Sequence, residues 1–137
     1  MNEDGEFSPR PVARMGHYHG DTVRILFVTA AVLIFATKFV PGAPTFSFGP
    51  MMLLILTLVI AAGITNPAQQ WIHTVNLLLS IAGVVTFGWL SFSRIETASE
   101  LFSGTGLVAF IAVIFLATLY FATRTVRGFS VPHVDAA

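Results

Sequence analysis

The chain has 137 residues, of which 55% are hydrophobic and only 10% are charged, and its seven basic residues balance its seven acidic ones. This composition is too apolar and too poor in charge for an ordinary soluble domain. Because the charges cancel, no overall field attracts nucleic acid or an acidic substrate. Because cysteine is absent, disulfides, thiolate nucleophiles and cysteine-held iron–sulfur clusters are excluded.

Four apolar runs follow one another along the chain, separated by short polar or turn-forming segments. A helix needs roughly 20 apolar residues to cross a bilayer, and the runs are near that length. None has the charged face, repeating every 3.6 residues, that a soluble bundle requires. We therefore predict an all-α, integral membrane, four-helix up-and-down bundle with short loops. The predicted spans are residues 22–40, 49–65, 68–90 and 105–124.

The segments outside the spans are short. Residues 1–20 form a polar leader, residues 21–124 a single transmembrane domain, and residues 125–137 a C-terminal tail. The leader is partly acidic, and "VPGAP" after the first apolar run lacks the small-x-small pattern of a signal-peptide cleavage site. We therefore expect the first span to remain in the mature protein.

The end of the leader, "RMGHYHGD", places His17, His19 and Asp21 at alternate positions. In an extended backbone these side chains point the same way, and two imidazoles with a carboxylate form a plausible set of divalent-metal ligands. His73 is predicted near the same membrane surface and would complete the set. The simpler interpretation makes Asp21 the N-cap of the first helix and requires no metal or other cofactor.

Basic residues predict the orientation, because cytoplasmic segments beside membrane helices are enriched in lysine and arginine. The leader, the second loop and the tail share one side and hold five basic residues, against two in the first and third loops. We expect both termini on the cytoplasmic side of a prokaryotic-type inner membrane. The five are Arg10, Arg14, Arg24, Arg124 and Arg127, and the two are Lys38 and Arg94.

The second loop, "TNPAQ", has the chemistry of a turn followed by a helix start. Asn66 can accept hydrogen bonds from free backbone donors, Pro67 suits the first turn, and Gln69 can complete a capping box. Such a short connection predicts that helices 2 and 3 pack as a tight antiparallel hairpin.

Trp71 and Trp89 lie 18 residues apart on the third helix, which is about 27 Å along its axis and close to the thickness of the hydrocarbon layer. We interpret them as marks of the two membrane surfaces. Basic side chains near the helix ends can reach the headgroups, and those on the cytoplasmic side can attract anionic lipid. The predicted interface anchors are Arg24, Lys38, Trp71, Trp89, Tyr120, Arg124 and Arg127.

A face of polar and small side chains runs along the third helix. It consists of Gln69, His73, Asn76, Ser80 and Gly83, spaced four, three, four and three residues apart, and we call it the polar stripe. Small residues let membrane helices approach closely, and polar ones can hydrogen-bond between helices. The favoured interpretation is a helix-packing interface.

Two other interpretations of the polar stripe stay open. It could line a pore or solute pocket, with Asn76, Ser80 and Thr86 facing water, or it could hold a ligand or cofactor. A bis-histidine haem would require a symmetric dimer, because His73 is the single histidine within a predicted span.

Other chemistry is sparse. No predicted span carries a carboxylate away from its ends, so an acidic proton relay has no carrier. Glu96 and Glu100 lie beside Arg94 in the third loop, as in a solvated turn, and no phosphate-binding or nucleophile motif occurs. We therefore expect a non-enzymatic accessory subunit or self-associating scaffold, with membrane subunits or itself as partner. The alternative is an oligomeric channel or carrier for a small, weakly charged solute.

Overall fold

The computed structural model describes residues 20–44, 46–64, 70–97, 99 and 102–130, and for residue 70 and residues 128–130 it describes the backbone only. Within these ranges the chain forms four helices and no strand, which confirms the all-α prediction. His17, His19, Asn66, Pro67 and Gln69 lie outside the described residues, as does the tail from residue 131. The helices are α1 (Gly20–Ala36), α2 (Phe48–Ile64), α3 (Gln70–Phe92) and α4 (Gly104–Ser130).

Helix α1 ends at Ala36, four residues before the end of the predicted span. The chain then tightens, as the amides of Lys38 and Phe39 donate to carbonyls three residues earlier, at 3.2 and 3.0 Å. Pro41 lacks an amide hydrogen and disfavours helical geometry in the residue before it. Gly42 follows with a φ of 76°, which glycine adopts without steric cost. The Pro-Gly pair therefore turns the chain toward α2.

Helix α4 continues to Ser130, beyond the predicted span end at residue 124. Its start is capped by the hydroxyl of Ser103, which accepts a hydrogen bond from the amide of Thr105 at 3.2 Å. Arg127 lies in the last turn, where a positive charge interacts favourably with the helix dipole. Hydropathy alone missed this extension because residues 123–127 are mostly polar.

The helices pack unequally. Helix α1 packs against α2 and α4, and α3 packs extensively against α4, whereas α2 and α3 touch only sparsely. The predicted tight hairpin of helices 2 and 3 is therefore wrong for the packing along their length. A short connection brings two helix ends together, but complementary side chains decide which faces pack. In this chain the face of α3 that carries Gly83 packs against α4.

Four phenylalanine rings connect three helices and the first loop. Phe87 on α3 stacks on Phe115 of α4 with ring centroids 5.5 Å apart and an interplanar angle of 11°. Phe27 of α1 approaches Phe115 at 6.4 Å, and Phe46, just before α2, meets Phe87 edge-on at 5.8 Å. Each such pair contributes about 0.5–1.5 kcal/mol beyond the burial of its area. This cluster fixes α3 and α1 against α4.

Two of the four helices are long and apolar enough to cross a membrane, over Trp71–Phe92 of α3 and Gly104–Arg127 of α4. Only 28% and 39% of their span windows are buried inside the chain, so both expose most of their apolar surface. Helices α1 and α2 have 17 residues each. Among the described residues, α2 (Phe48–Ile64) is an apolar helix that is shorter than the two candidate spans.

Candidate functional site

The described members of the polar stripe all lie on the buried face of α3. His73, Asn76 and Ser80 are 3%, 2% and 0% exposed, Gly83 is also buried, and Phe87 continues the same face. The fifth member, Gln69, is outside the described residues. The opposite face of α3 exposes Trp71, Val75, Leu78, Val85 and Trp89. The helix is therefore polar on its inner side and apolar on its outer side.

Gly83 lies at a close approach between α3 and α4. A Cβ atom at this position would overlap atoms of the Phe115 ring, so any larger residue forces the ring or the helix to move. The same ring stacks on Phe87, one helical turn further along α3. The small end of the polar stripe thus receives an aromatic side chain of α4, as expected of a close helix contact.

Three buried hydroxyl groups on α3 and α4 bond to their own helices. Ser80 Oγ donates to the Asn76 carbonyl at 2.7 Å, and on α4 the hydroxyls of Thr118 and Thr125 donate to Ile114 and Phe121 at 2.8 and 3.0 Å. This pattern satisfies a hydroxyl without a partner helix. The expected hydrogen bond from the Ser80 hydroxyl across the interface is thus replaced by one within α3. Thr118 and Thr125, which sequence reasoning missed, add polar atoms to the buried side of α4.

A cavity of about 240 Å³ lies between α2 and α3, where these helices touch only sparsely. Asn76, a member of the polar stripe, forms part of its wall. Apart from Asn76, the Thr57 hydroxyl and the indole nitrogen of Trp71, the lining is aliphatic or aromatic. The lining residues are Thr57, Ile60, Ala61 and Ile64 of α2 and Trp71, Ile72, Val75, Asn76 and Leu79 of α3.

The α2 wall of this cavity was not predicted from the sequence. Thr57, Ala61 and Ile64 are spaced four and three residues apart, so they share a helix face, and this spacing is the signal that was available. In a run as uniformly apolar as α2, however, one polar residue and one alanine do not identify a face. The Thr57 hydroxyl donates to the Leu53 carbonyl at 2.8 Å, so it too is satisfied within its helix.

The predicted interface anchors are all exposed. Trp71 and Trp89 are 60% and 74% exposed on the outer face of α3, since 18 residues correspond to five helical turns. Lys38 also makes a specific contact, as its Nζ donates to the Phe46 carbonyl at 2.6 Å and ties the end of α1 to the segment before α2. The other exposed anchors are Arg24, Tyr120, Arg124 and Arg127.

The candidate metal ligands are only partly described. Asp21 is exposed in the first turn of α1, where its negative charge interacts favourably with the helix dipole. Because it lies inside the helix, Asp21 is not the N-cap that the sequence suggested. His73 is buried on α3. Among the described residues, no group of three or more histidines and carboxylates is placed to hold a metal ion. His17 and His19 fall outside that part of the chain.

Glu96 is the acidic residue of the third loop that falls within the described part of the chain, and it is exposed. Arg94 and Glu96 are exposed after the end of α3, and Glu100 lies outside the described residues. An exposed carboxylate on a loop is typical of a solvated turn. The candidate site is therefore the inner face of α3 together with the cavity between α2 and α3.

The described part of the chain is all-helical, and two of its helices are long and apolar enough to cross a membrane. No known protein family, curated protein or solved structure matches the chain. The function is therefore argued from the chemistry of its own surfaces.

Proposed function

We propose that the chain is a small multi-pass integral membrane protein without enzymatic activity, acting as an accessory subunit or a self-associating scaffold. In this proposal all four helices cross a prokaryotic-type inner membrane and both termini are cytoplasmic. The partners are the lipid bilayer and either other membrane subunits or further copies of the chain. The arginines near the cytoplasmic ends also attract anionic lipid.

The observation that carries the membrane assignment is the apolar surface of all four helices. Each helix exposes large apolar side chains along its length, including Ile25 on α1, Leu53 on α2, Val85 on α3 and Val113 on α4. Soluble monomers rarely expose contiguous apolar patches larger than a few hundred Å². A bilayer covers such a surface without requiring any particular partner.

The lengths of α1 and α2 are compatible with spanning. Seventeen helical residues cover about 25 Å at 1.5 Å per residue, a few ångströms less than a typical hydrocarbon core. Short spans are accommodated by local thinning of the bilayer and by snorkelling of flanking charged residues. Arg24 and Lys38, both exposed near the ends of α1, are suited to that role.

Two contacts support the up-and-down order of the helices. A Cβ atom on Gly104, at the start of α4, would meet the backbone of Ala43 in the first loop. Phe46, just before α2, packs against Phe87 near the end of α3. Both contacts belong to one end of the molecule. Helix α4 then ends at the opposite side, so that Arg124 and Arg127 lie at the end that we propose to be cytoplasmic.

The packing of the polar stripe favours a scaffold or accessory role over a channel. A channel requires water along Asn76 and Ser80, but Ser80 is fully buried and its hydroxyl is bonded to α3 itself. Asn76 borders a cavity whose wall is mostly apolar. The outer faces of the helices, which would contact a partner, carry apolar side chains suited to helix association or lipid.

Cysteine labelling tests the proposal directly, because the chain contains no cysteine of its own. We expect Asn76→Cys and Ser80→Cys to resist a membrane-impermeant maleimide in native membranes and to react after denaturation. Reaction in native membranes would favour the channel. Ser99→Cys in the third loop should react from outside intact cells, whereas Ser130→Cys should react only in inverted vesicles. The reverse pattern would contradict the orientation.

Native mass spectrometry after mild-detergent extraction tests the accessory or scaffold role. We expect the chain to be recovered with a partner polypeptide or as a defined oligomer. An oligomer that catalyses solute flux in vesicles would establish the channel or carrier instead. A chain that stays monomeric in every gentle detergent, with no partner polypeptide, would contradict the accessory or scaffold role.

A further inference from the structure

The cavity between α2 and α3 is open toward the apolar surface of the molecule. Four of its lining residues, Ile60, Ile64, Trp71 and Val75, are exposed, and they continue into the outer faces of both helices. Ala61, Ile72 and Asn76 form the buried part of the wall. The cavity is therefore a recess in the surface that the proposed function places against lipid.

The lining selects the chemistry of the occupant. Aliphatic and aromatic groups make up most of the wall. Its polar side-chain groups are the Thr57 hydroxyl, which already donates within its helix, the buried Asn76 amide and the Trp71 indole, so a water-soluble solute finds few partners. Apolar side chains around an empty space lose dispersion contacts that an apolar occupant restores. The occupant is therefore apolar.

The size of the cavity limits the occupant further. A dry cavity of about 150 Å³ accommodates benzene, whereas pockets for drug-sized molecules begin near 300 Å³. At about 240 Å³ this recess fits a slim apolar segment. The bilayer supplies such a segment at high local concentration, namely the acyl chain of a phospholipid.

We infer that the cavity between α2 and α3 binds one phospholipid acyl chain from the leaflet at the Trp71 end of α3. This inference rests on the proposed membrane location. The acyl chain lies along Ile60 of α2 and Val75 of α3 and fills the space between these two helices. The bound lipid thereby acts as a structural component between two helices that make few direct contacts.

The two tryptophans provide a matched pair for the test. Trp71 lines the cavity, and Trp89 lies on the same face of α3 but outside the cavity. We expect detergent-solubilised Trp89→Phe, which retains Trp71, to show saturable quenching as phospholipid with brominated acyl chains is added. The quenching should be reversed by excess unlabelled phospholipid. Trp71→Phe, which retains Trp89, should show weaker quenching without saturation. Parallel quenching of the two variants would overturn the inference.

A second pair of variants tests the cavity independently of fluorescence. Val75→Phe places a ring at the cavity entrance, whereas Val85→Phe places the same ring on the same exposed face outside the cavity. Because the ring displaces roughly two methylene groups of the lipid, we expect Val75→Phe to bind phospholipid about tenfold more weakly. Native mass spectrometry should show one retained lipid on wild type and Val85→Phe. Equal retention by all three proteins, or a retained polypeptide that Val75→Phe displaces, would overturn the inference.

Nanodiscs made with the brominated phospholipid separate this inference from the proposed function. Trp71→Phe reports on Trp89 in the nanodiscs, and Trp89→Phe reports on Trp71 in detergent. Strong quenching of Trp89 together with no saturable quenching of Trp71 would reject the acyl-chain site but would still support the membrane location. Absence of Trp89 quenching in the nanodiscs would reject the membrane location, and the acyl-chain site with it.

Discussion

The two flanks of α3 differ in how closely they approach the neighbouring helix. Toward α4, Gly83 leaves room for the ring of Phe115, and that ring stacks on Phe87. Toward α2, the branched and aromatic side chains Ile72, Val75 and Trp71 border an open cavity. The same helix therefore forms a close interface on one side and a recess on the other.

In the membrane location that we propose, this difference indicates what determines helix packing. Lipid tails are as apolar as leucine, so no hydrophobic force drives membrane helices together, and shape complementarity decides which pairs pack. The chain connection favours α2 and α3, which adjoin in sequence, whereas the side chains favour α3 and α4. The observed packing follows the side chains.

The largest expected effect comes from removing the ring that fills the close interface. Phe115→Ala should lower the free energy of unfolding by about 3–5 kcal/mol, because it leaves a cavity at the centre of the phenylalanine cluster. Leu116→Ala, at an exposed position next in the chain, is the control and should cost much less. Unfolding in mixed micelles with increasing denaturing detergent measures both. Equal losses would mean that the cluster does not hold the helices.

The glycine on the other side of that contact should also be sensitive. Gly83→Ala places a methyl group against the Phe115 ring, and we expect a loss of about 1–3 kcal/mol from overpacking. Gly88→Ala is the matched control, because a Cβ atom there meets nothing within 4 Å beyond its chain neighbours and the backbone of its own helix. Alanine should even stabilise that position by roughly 0.5–1 kcal/mol through helix propensity. The same unfolding measurement applies, and a loss at Gly88 as large as at Gly83 would contradict the close-contact explanation.

The recess should respond in the opposite sense. Ala61 lines the cavity, whereas its neighbour Ala62 is buried without bordering it. Ala61→Val adds methyl groups to empty space and should be neutral or stabilising by about 0.5–2 kcal/mol, as for other cavity-filling changes. Ala62→Val should instead cost about 1–3 kcal/mol. Thermal unfolding in delipidated detergent compares the two, and a clear loss in Ala61→Val would show that the recess is absent in solution.

The sequence contained the information for one flank of α3 but lacked it for the other. Helical spacing placed His73, Asn76, Ser80 and Gly83 on one face, because periodicity along a single helix depends only on local geometry. The recess depends on the angle and distance between α2 and α3, which no local pattern specifies. The short second loop suggested that α2 and α3 pack closely. A short loop constrains only the ends of the two helices, however, and leaves their separation further along undetermined.

Helix boundaries were predictable to different degrees for a similar reason. The end of α1 follows from Pro41 and Gly42, which are visible in the sequence as a turn signal. The end of α4 lies beyond its apolar run, where Thr125 is buried although Arg124 and Arg127 are exposed. A hydropathy profile stops at the apolar boundary, whereas the helix stops where backbone hydrogen bonding ends.

The smallest expected effect separates the two ways in which the polar stripe can stabilise the close interface. If its polar atoms bond between helices, removing the Ser80 hydroxyl should cost about 1–2 kcal/mol, the range found for such bonds in model membrane peptides. Because Ser80 Oγ donates to the Asn76 carbonyl on its own helix, we expect Ser80→Ala to change the free energy of unfolding by less than about 0.5 kcal/mol. Ser80→Leu should be strongly destabilising, since Ser80 is fully buried. A large loss in Ser80→Ala would show that hydrogen bonding, and not the small size of the side chain, governs the approach of α3 to its neighbours.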